Sequence, residues 1–386
     1  MLVIYSLVLN HHQSQIADLL FDKLRSNFVF VELSQGQDSK GGNADYTDRP
    51  YLLRAWESSD NYLRALDLSI EADVCVFGGI AAFRFLKERM NSGRMCFFMT
   101  ERWLKRGIKN LLSPRILNCY VAYHLRHWQN KEMYCLCCGA YVEKDFRRIY
   151  MFKNKAYKWG YFTDVNTNIS EKLVFKDSHR QNTQIMWCAR LIKWKHPELV
   201  IELAARLKND GYNFSIYIYG DEGQLASHDK AFPKVELEKL IKKFAVEEYV
   251  CLMGSRPNSE VINAMCDADI FLLTSDKLEG WGAVANEAMS NGCALVTSDA
   301  IGSTGYLVSH KETGMIFKSG DIESLYEQVK YLIDNPQERE RIAKAGRRSM
   351  VELWSPENAA NSLLQLIEDL KAGRETSILD GPCSKA

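Results

Sequence analysis

Two glutamates, Glu279 and Glu287, flank the segment Gly280-Trp281-Gly282-Ala283-Val284-Ala285-Asn286. The apolar run 270–274 before them predicts a buried strand, and residues 284–290 predict the start of a helix. Glu279 should therefore follow the carboxyl end of a strand, the edge at which open α/β sheets bind ligands. Glycines there let backbone N–H groups approach a ligand, and a helix N-terminus favours an anion. Because two carboxylates would repel a phosphate, we expect them to accept hydrogen bonds from hydroxyl groups, as on a sugar or a ribose.

Two cations stand in the corresponding place after an earlier predicted strand. Residues 184–188 predict that strand, and Arg190 and Lys195 follow it before Pro197, which suits the first position of a helix. Two cations beside a helix N-terminus could bind a diphosphate, although on this segment alone they could also be solvated surface charges. Gly220, after the next predicted strand, indicates a tight turn at the same sheet edge.

Strands and helices alternate along both halves of the chain, which predicts parallel sheets covered by helices on both faces. The predicted strands of the first half are 2–9, 28–33, 74–77, 95–99 and 133–137. Those of the second half are 184–188, 214–219, 250–253, 270–274 and 294–297. The polar stretch 164–183 between the halves predicts a linker, and the polar, Gly-containing stretch 34–50 predicts a long loop.

Composition narrows the class of protein. The 386 residues, 46% of them hydrophobic, allow two or three domains with cores of their own. A formal net charge of zero argues against a dedicated nucleic-acid binder. The eleven cysteines are scattered through apolar runs, which fits reduced thiols in a cytoplasmic enzyme. Residues 1–9 have no basic leader or cleavage site and predict a first strand, and no apolar run is long enough to span a membrane.

Residues 184–310 resemble glycosyltransferase family 4, the retaining sugar-nucleotide transferases of GT-B fold. Several motifs in the same order carry the resemblance. They are Arg190 with Lys195, Gly220, Gly254, the strand Ala268-Asp269-Ile270-Phe271-Leu272-Leu273-Thr274-Ser275, the motif from Glu279 to Glu287, and Gly292. The first 130 residues match only in pattern, and Trp159-Gly160 stands where the family has Asn-Gly before the linker.

The resemblance implies roles for these residues. Arg190 and Lys195 would hold the donor diphosphate, and Glu279 with the N–H groups beside it would face the donor sugar. Glu287 would hold the ribose hydroxyls. The implied donor-binding set is completed by Gly220, Gly280, Trp281 and Gly282. The co-substrate would be a UDP- or GDP-linked sugar, with no metal or other cofactor, because the two cations would do the work of a metal at the diphosphate.

The resemblance also implies the architecture, an α/β GT-B fold with two Rossmann-like domains facing each other across a cleft. We expect an N-terminal acceptor-binding domain over residues 1–165 and a C-terminal sugar-nucleotide-binding domain over 166–355. A helix over 356–371 should pack back toward the N-terminal domain, and the polar tail 372–386 should be disordered. The acceptor would be a glycan or a lipid-linked sugar in surface polysaccharide or glycolipid synthesis.

Other functions are compatible with parts of this pattern. A sugar-nucleotide epimerase shares the GT-B architecture, and a non-catalytic scaffold could retain it, although intact Arg190 and Lys195 argue against a scaffold. The triplet Asp267-Ala268-Asp269 has the D-x-D spacing of a metal motif but adjoins a predicted buried strand. The Cys135 to Cys138 spacing lacks a second cysteine pair at zinc spacing, so we expect buried thiols and no metal site.

Three residues are candidates for the acceptor side. His11 and His12 follow the first predicted strand, and Glu101 follows the strand predicted at 95–99. Each could act as an acceptor ligand or base, or could be an ordinary loop residue.

The segment from Arg102 to Lys131 contains seven Lys or Arg residues and no Asp or Glu, with apolar residues between them. This composition is typical of an interfacial amphipathic segment, although an ordinary solvated helix face would also fit. We expect an anionic membrane surface as a possible partner and a cytoplasmic location, with peripheral attachment to the inner face of the membrane.

Overall fold

The structure is a computed structural model that describes residues 1–35, 48–126, 130–165, 182–223 and 229–386. The chain divides into two compact units. Unit 1 comprises Met1–Asp164 together with Leu353–Ala386, and unit 2 comprises Val165–Glu352. Most of the loop predicted at 34–50 and of the linker predicted at 164–183 lies outside the described residues.

Unit 1 is built on a sheet of seven parallel strands. They are β1 (Leu2–Ser6), β2 (Phe28–Glu32), β3 (Leu52–Arg54), β4 (Val74–Gly78), β5 (Cys96–Thr100), β6 (Met133–Cys138) and β7 (Ala156–Trp159). Their spatial order is β3-β2-β1-β4-β5-β6-β7. This is the doubly wound order: successive strands are added outward from β1 on one side and then outward from β4 on the other. The connecting helices are α1 (His11–Leu24), α2 (Ser59–Glu71), α3 (Phe83–Ser92), α4 (Pro114–Arg126) and α5 (Val142–Arg148).

Unit 2 has a second parallel sheet, of six strands. They are β8 (Thr183–Cys188), β9 (Phe214–Tyr219), β10 (Val250–Gly254), β11 (Ile270–Leu273), β12 (Ala294–Ser298) and β13 (Met315–Phe317), in the order β10-β9-β8-β11-β12-β13. Its helices are α6 (Pro197–Asn209), α7 (Lys234–Phe244), α8 (Asn258–Asp267), α9 (Val284–Ser290), α10 (Thr304–Leu307), α11 (Ile322–Asp334) and α12 (Pro336–Glu352). In this sheet the direction in which successive strands are added changes between β8 and β11.

Each unit has its own apolar core between the sheet and its helices, as the continuous hydrophobic runs predict. All six residues of β6 are buried, and so are all four of β11. In unit 2 the helix α6 places eight buried side chains against the sheet, because its apolar residues recur at helical spacing. Parallel strands that are covered on both faces have this uniform apolar composition.

The C-terminal segment belongs to unit 1. Helix α13 (Pro356–Lys371) packs against α1, and Lys23 forms an ion pair with Glu357 at 3.5 Å. Its first turn is capped by Ser355, whose hydroxyl accepts from the N–H of Asn358. Trp354, just before this helix, is buried against Phe162.

The tail 372–386, for which composition predicts disorder, is instead ordered along β7. The Lys158 N–H donates to the Ser384 carbonyl at 2.8 Å, and the Cys383 N–H donates to the Lys158 carbonyl at 2.8 Å. Cys383 and Ser384 are buried. The prediction of disorder was wrong because β7 offers an unpaired strand edge whose backbone groups the polar tail can satisfy.

Sequence patterns located the long elements but missed short ones. Strands β3, β7 and β13 have three or four residues each and were not predicted. Among the described residues, no helix is both long and apolar enough to cross a bilayer.

Candidate functional site

The candidate site of unit 2 lies where the loops after β8 and β11 begin. These two strands are neighbours, and the chain winds away from them in opposite directions, so the loops that follow them diverge. Ligands of open α/β sheets bind in the crevice that such a divergence leaves. Arg190 and Lys195 lie in the first loop, and Glu279 lies in the second.

Lys195 and Glu279 are joined in the structure. The Lys195 ammonium forms an ion pair with Oε2 of Glu279, and the Ser275 hydroxyl donates to the same oxygen at 3.1 Å. Both side chains are 12% exposed, so this is a largely desolvated pair. The contact shows that residues 84 positions apart, predicted to serve the diphosphate and the sugar, share one location.

Three further hydrogen bonds join β8 and the loop after it to the loop after β11. The Thr274 hydroxyl donates to the Lys195 carbonyl at 2.6 Å and accepts from the buried Trp187 indole at 2.9 Å. The Asp276 N–H donates to the Trp194 carbonyl at 2.9 Å. These bonds fix the backbone from which the Lys195 side chain extends, and the ion pair with Glu279 holds its ammonium.

His196 bridges the same two loops through charge. Its Nδ1 lies 2.7 Å from a Glu198 oxygen and its Nε2 lies 3.8 Å from an Asp276 oxygen. Asp276 and Glu198 raise the pKa of His196 to about 9, so the imidazole is cationic at neutral pH. Its backbone is left-handed at φ 53°, which lets the chain turn from the 3-10 turn Lys193–Lys195 directly into α6.

Arg190 is positioned by an aspartate that lies farther along the chain. Its guanidinium is 3.3 Å from an Asp229 oxygen, and the other Asp229 oxygen accepts from the Trp194 indole at 2.9 Å. The Arg190 side chain remains 41% exposed.

Two glycines allow close backbone packing at this site. Gly220 has φ 120°, and a Cβ there would lie 2.0 Å from the Ala189 carbonyl oxygen. Gly282 has φ 84°, and a Cβ there would lie 3.3 Å from Cγ of Glu279. Any side chain at Gly220 would therefore push apart the loops after β8 and β9.

The side chain of Trp281 points into the protein interior. It is fully buried, and its indole donates to Oδ1 of Asn286 at 2.9 Å. The ring therefore anchors the loop, and the adjoining Gly280 is also buried, while the place of Trp281 in the implied donor-binding set stays a prediction. Conformational freedom from the flanking glycines allows a bulky ring to turn inward at this position.

Glu287 lies in the first turn of α9 and is half-buried. Burial raises the pKa of its carboxyl to about 7, and its charge also contributes to the raised pKa of the Cys188 thiol, for which burial is the larger cause. Few carboxyl groups in proteins have a pKa near neutral pH, and those that do are often found at functional sites.

Unit 1 has a cavity of about 650 Å³ at the carboxyl ends of β1, β4, β5 and β6. All of its lining residues belong to unit 1, and His11, His12 and Glu101 are among them. The two imidazole rings lie 3.7 Å apart, and the His12 ring stacks on Tyr161 at 5.8 Å. The structure therefore brings all three predicted acceptor-side residues into one cavity.

Both oxygens of Glu101 have partners in this cavity. Tyr161 donates its hydroxyl to one at 2.8 Å, and the Lys105 ammonium lies 2.8 Å from the other. These two contacts hold the Glu101 carboxylate in place in the cavity.

The alternative metal motifs lie at two different places: the D-x-D triplet is at the amino end of β11, whereas Cys135 and Cys138 are on β6, and Cys138 also lines the unit 1 cavity. Asp269 accepts from the Gln184 N–H at 2.8 Å at the amino end of β11, opposite the edge that carries Glu279. Cys135 and Cys138 are buried on β6, and burial raises the pKa of both thiols.

Sequence reasoning missed several residues of the unit 2 site: Asp229, His196, Ser275 and Asp276. No motif marks Asp229, because its partners Arg190 and Trp194 lie more than 30 positions earlier. His196 and Asp276 adjoin predicted site segments, so their polar types were a usable signal, but their pairing depends on how the two loops meet.

Comparison with known proteins relates unit 2 to glycosyltransferases. Residues 170–349 match the family model described as glycosyl transferases group 1, and this stretch contains Arg190, Lys195, Glu279 and Glu287. The amylovoran biosynthesis glycosyltransferase AmsK of Erwinia amylovora is 26% identical over 205 residues, which are 51% of this chain and 47% of that protein.

A second relative is the N-acetylgalactosamine-N,N'-diacetylbacillosaminyl-diphospho-undecaprenol 4-alpha-N-acetylgalactosaminyltransferase of Campylobacter jejuni. It is 29% identical over 172 residues, which are 45% of this chain and 43% of that protein. The chain thus matches about half the length of these curated relatives.

The crystal structure of Anabaena HepE in complex with UDP has a TM-score of 0.69 and 16% sequence identity, and the match covers 96% of this chain and 99% of that one. The fold is therefore that of the GT-B glycosyltransferases, with one parallel α/β sheet in each of two units.

Proposed function

We propose that the protein is a retaining glycosyltransferase. It moves a sugar from a UDP- or GDP-linked donor to a glycan or lipid-linked acceptor in the synthesis of a surface polysaccharide or glycolipid. The observation that carries this proposal is the Lys195–Glu279 ion pair beside Arg190 at the diverging edge of the unit 2 sheet. It joins a cation suited to a diphosphate with a carboxylate suited to sugar hydroxyls.

The ion pair suggests how the donor is accommodated. A desolvated lysine without a partner would be unfavourable, and Glu279 supplies the opposite charge for Lys195. When a nucleoside-diphosphate sugar binds, its diphosphate takes over the ammonium, and Glu279 becomes available to accept hydrogen bonds from the sugar.

The same groups serve the reaction. As the bond between the anomeric carbon and the diphosphate oxygen breaks, negative charge grows on the departing diphosphate. Asp229 positions the Arg190 side chain and Thr274 positions the Lys195 backbone, so both cations are placed to stabilise this charge. The acceptor hydroxyl then bonds to the anomeric carbon on the same face, and its proton passes to a diphosphate oxygen.

The relatives support transfer over epimerisation, since both curated proteins named above are glycosyltransferases. One is named for amylovoran synthesis and the other for a diphospho-undecaprenol substrate, which supports polysaccharide and lipid-linked acceptors. A cytoplasmic location is part of the proposal, and it is supported by eleven free thiols, most of them buried.

The test is to incubate the protein with a panel of UDP- and GDP-sugars, with and without a bacterial lipid extract, and to analyse products by mass spectrometry. We expect one donor to give an acceptor product one sugar heavier together with free nucleoside diphosphate. An isomerised sugar nucleotide formed without acceptor would contradict the proposal and favour an epimerase.

A further inference from the structure

The segment from Arg106 to Leu125, here called the 106–125 surface, exposes an unusual number of large apolar side chains. It consists of the 3-10 turn Ile108–Leu112 followed by α4, which pack against each other. Of thirteen exposed large apolar residues among those that the structure describes, five lie on this surface, and clusters of this kind mark binding surfaces. They are Ile108, Leu112, Leu117, Val121 and Leu125.

Helix α4 is apolar on two sides. Cys119, Ala122 and Tyr123 are buried in the core of unit 1. Leu117, Val121 and Leu125 recur every fourth residue, so they lie along one exposed face. The core of unit 1 accounts for the first face and leaves the second exposed.

The charge of the surface has one sign. Arg106, Lys109 and Arg115 are exposed, and no Asp or Glu occurs between Arg102 and Lys131. Three exposed cations thus accompany the five apolar side chains.

Two basic residues of the predicted amphipathic segment do not belong to this surface. Arg102 pairs with the buried Asp145, with guanidinium nitrogens 3.1 and 3.2 Å from its two oxygens. Lys105 pairs with Glu101 in the cavity. Their partners lie within unit 1, so both cations serve its interior rather than its surface.

We propose that the 106–125 surface docks on an anionic lipid bilayer. Its apolar side chains enter the headgroup region while Arg106, Lys109 and Arg115 contact lipid phosphates. Charge complementarity favours this partner, because a second copy of the chain would bring two basic surfaces together.

The same segment also borders the cavity of unit 1. Asn110 and Ile116 line it, so the docked segment would lie beside the place where the acceptor binds. This link to a lipid-linked acceptor rests on the proposed function, whereas docking itself rests on the surface alone.

The test uses the full-length protein and co-sedimentation with two kinds of vesicle: phosphatidylcholine alone, and an equal mixture of phosphatidylcholine and phosphatidylglycerol. We expect binding to the anionic vesicles at low salt, weakened by added salt. Arg106→Gln, Lys109→Gln and Arg115→Gln together should lower the partition coefficient on the order of 100-fold, at about fivefold per basic residue. Replacing Leu112, Leu117, Val121 and Leu125 with Gln should cause a loss on the order of 100-fold as well.

Matched controls test whether the loss is specific. The charge control replaces three exposed lysines of α7 in unit 2 with Gln: Lys239, Lys242 and Lys243. The apolar control replaces Leu63 and Ile70 of α2 with Gln. Both controls should bind vesicles as the wild type does. Circular dichroism and binding of UDP or GDP verify that every variant is folded.

Three outcomes would overturn the proposal. They are no binding of the wild type to anionic vesicles at low salt, equal binding by the 106–125 variants, and a lipid-free dimer that these variants dissociate. Vesicle binding by a protein that transfers no sugar would leave docking intact and would contradict only the proposed function.

Discussion

Replacing Glu287 with Gln should stabilise the protein at alkaline pH. Burial raises the pKa of this carboxyl from 4.5 to about 7, so the folded protein holds the proton more tightly than the unfolded chain does. Stability from such a group is greatest at low pH and falls as the pH rises through the interval between the two values. Ionisation of Glu287 therefore lowers the free energy of unfolding by about 1 kcal/mol at about pH 5 and by about 3 kcal/mol at about pH 8.

The assay is urea unfolding of wild type and Glu287→Gln at these two pH values, followed by tryptophan fluorescence. Because Gln cannot ionise, the variant should gain up to about 3 kcal/mol at about pH 8 and markedly less at about pH 5. Glu279→Gln is the matched control, since it leaves Lys195 without its carboxylate partner and should lower stability at both pH values. A stability difference between wild type and Glu287→Gln that does not change with pH would refute the reasoning.

Further predictions concern the same site. Glu287→Gln should weaken binding of the free nucleoside diphosphate by roughly tenfold or more in calorimetry, because the ribose hydroxyls lose a charged acceptor. Glu279→Gln should keep or raise this affinity, since Lys195 no longer has a competing partner, while sugar transfer falls; equal losses of affinity in both variants would argue against the assigned roles. His196→Gln should weaken donor binding at neutral pH. Asp276 and Glu198 raise the pKa of His196 from 6.5 to about 9, so its stabilising charge is fully present below 6.5 and is lost as the pH rises through about 9. The donor affinity of the wild type should fall as the pH rises from 6.5 to about 9, and the donor affinity of His196→Gln should not. Parallel pH profiles of the two proteins would argue against a role of the His196 contacts with Glu198 and Asp276 in donor binding. Activity should survive EDTA, and a complete loss restored by manganese would favour the D-x-D motif instead.

The sequence could predict the part of the fold that depends on long apolar runs. Strands such as β9 (Phe214–Tyr219) bury most of their side chains, so the pattern predicts them at their observed bounds. The edge strands β3 and β7 are too short for such a pattern and exist because a neighbouring strand or the tail pairs with them. The tail 372–386 shows the same dependence on a partner.

The sequence pattern and the resemblance predicted the sheet edge at which the candidate residues lie. Arg190, Lys195, Glu279 and Glu287 all occur in loops or first turns at the expected edge. Their partners could not be predicted, because Asp229 reaches Arg190 only after the chain has folded, and the Trp281 ring could turn either inward or outward. The pairing of Arg102 with Asp145, 43 positions away, likewise removed a cation from the predicted surface.

The most direct test of the central claim is turnover of the identified donor by Arg190→Ala and Lys195→Ala, with product measured by mass spectrometry. Each substitution removes a charge-assisted contact with the departing diphosphate that contributes about 1.5–3 kcal/mol. Turnover should therefore fall roughly 10- to 150-fold, while acceptor binding changes much less because the charge grows in the transition state. Unchanged turnover in both variants would contradict the account.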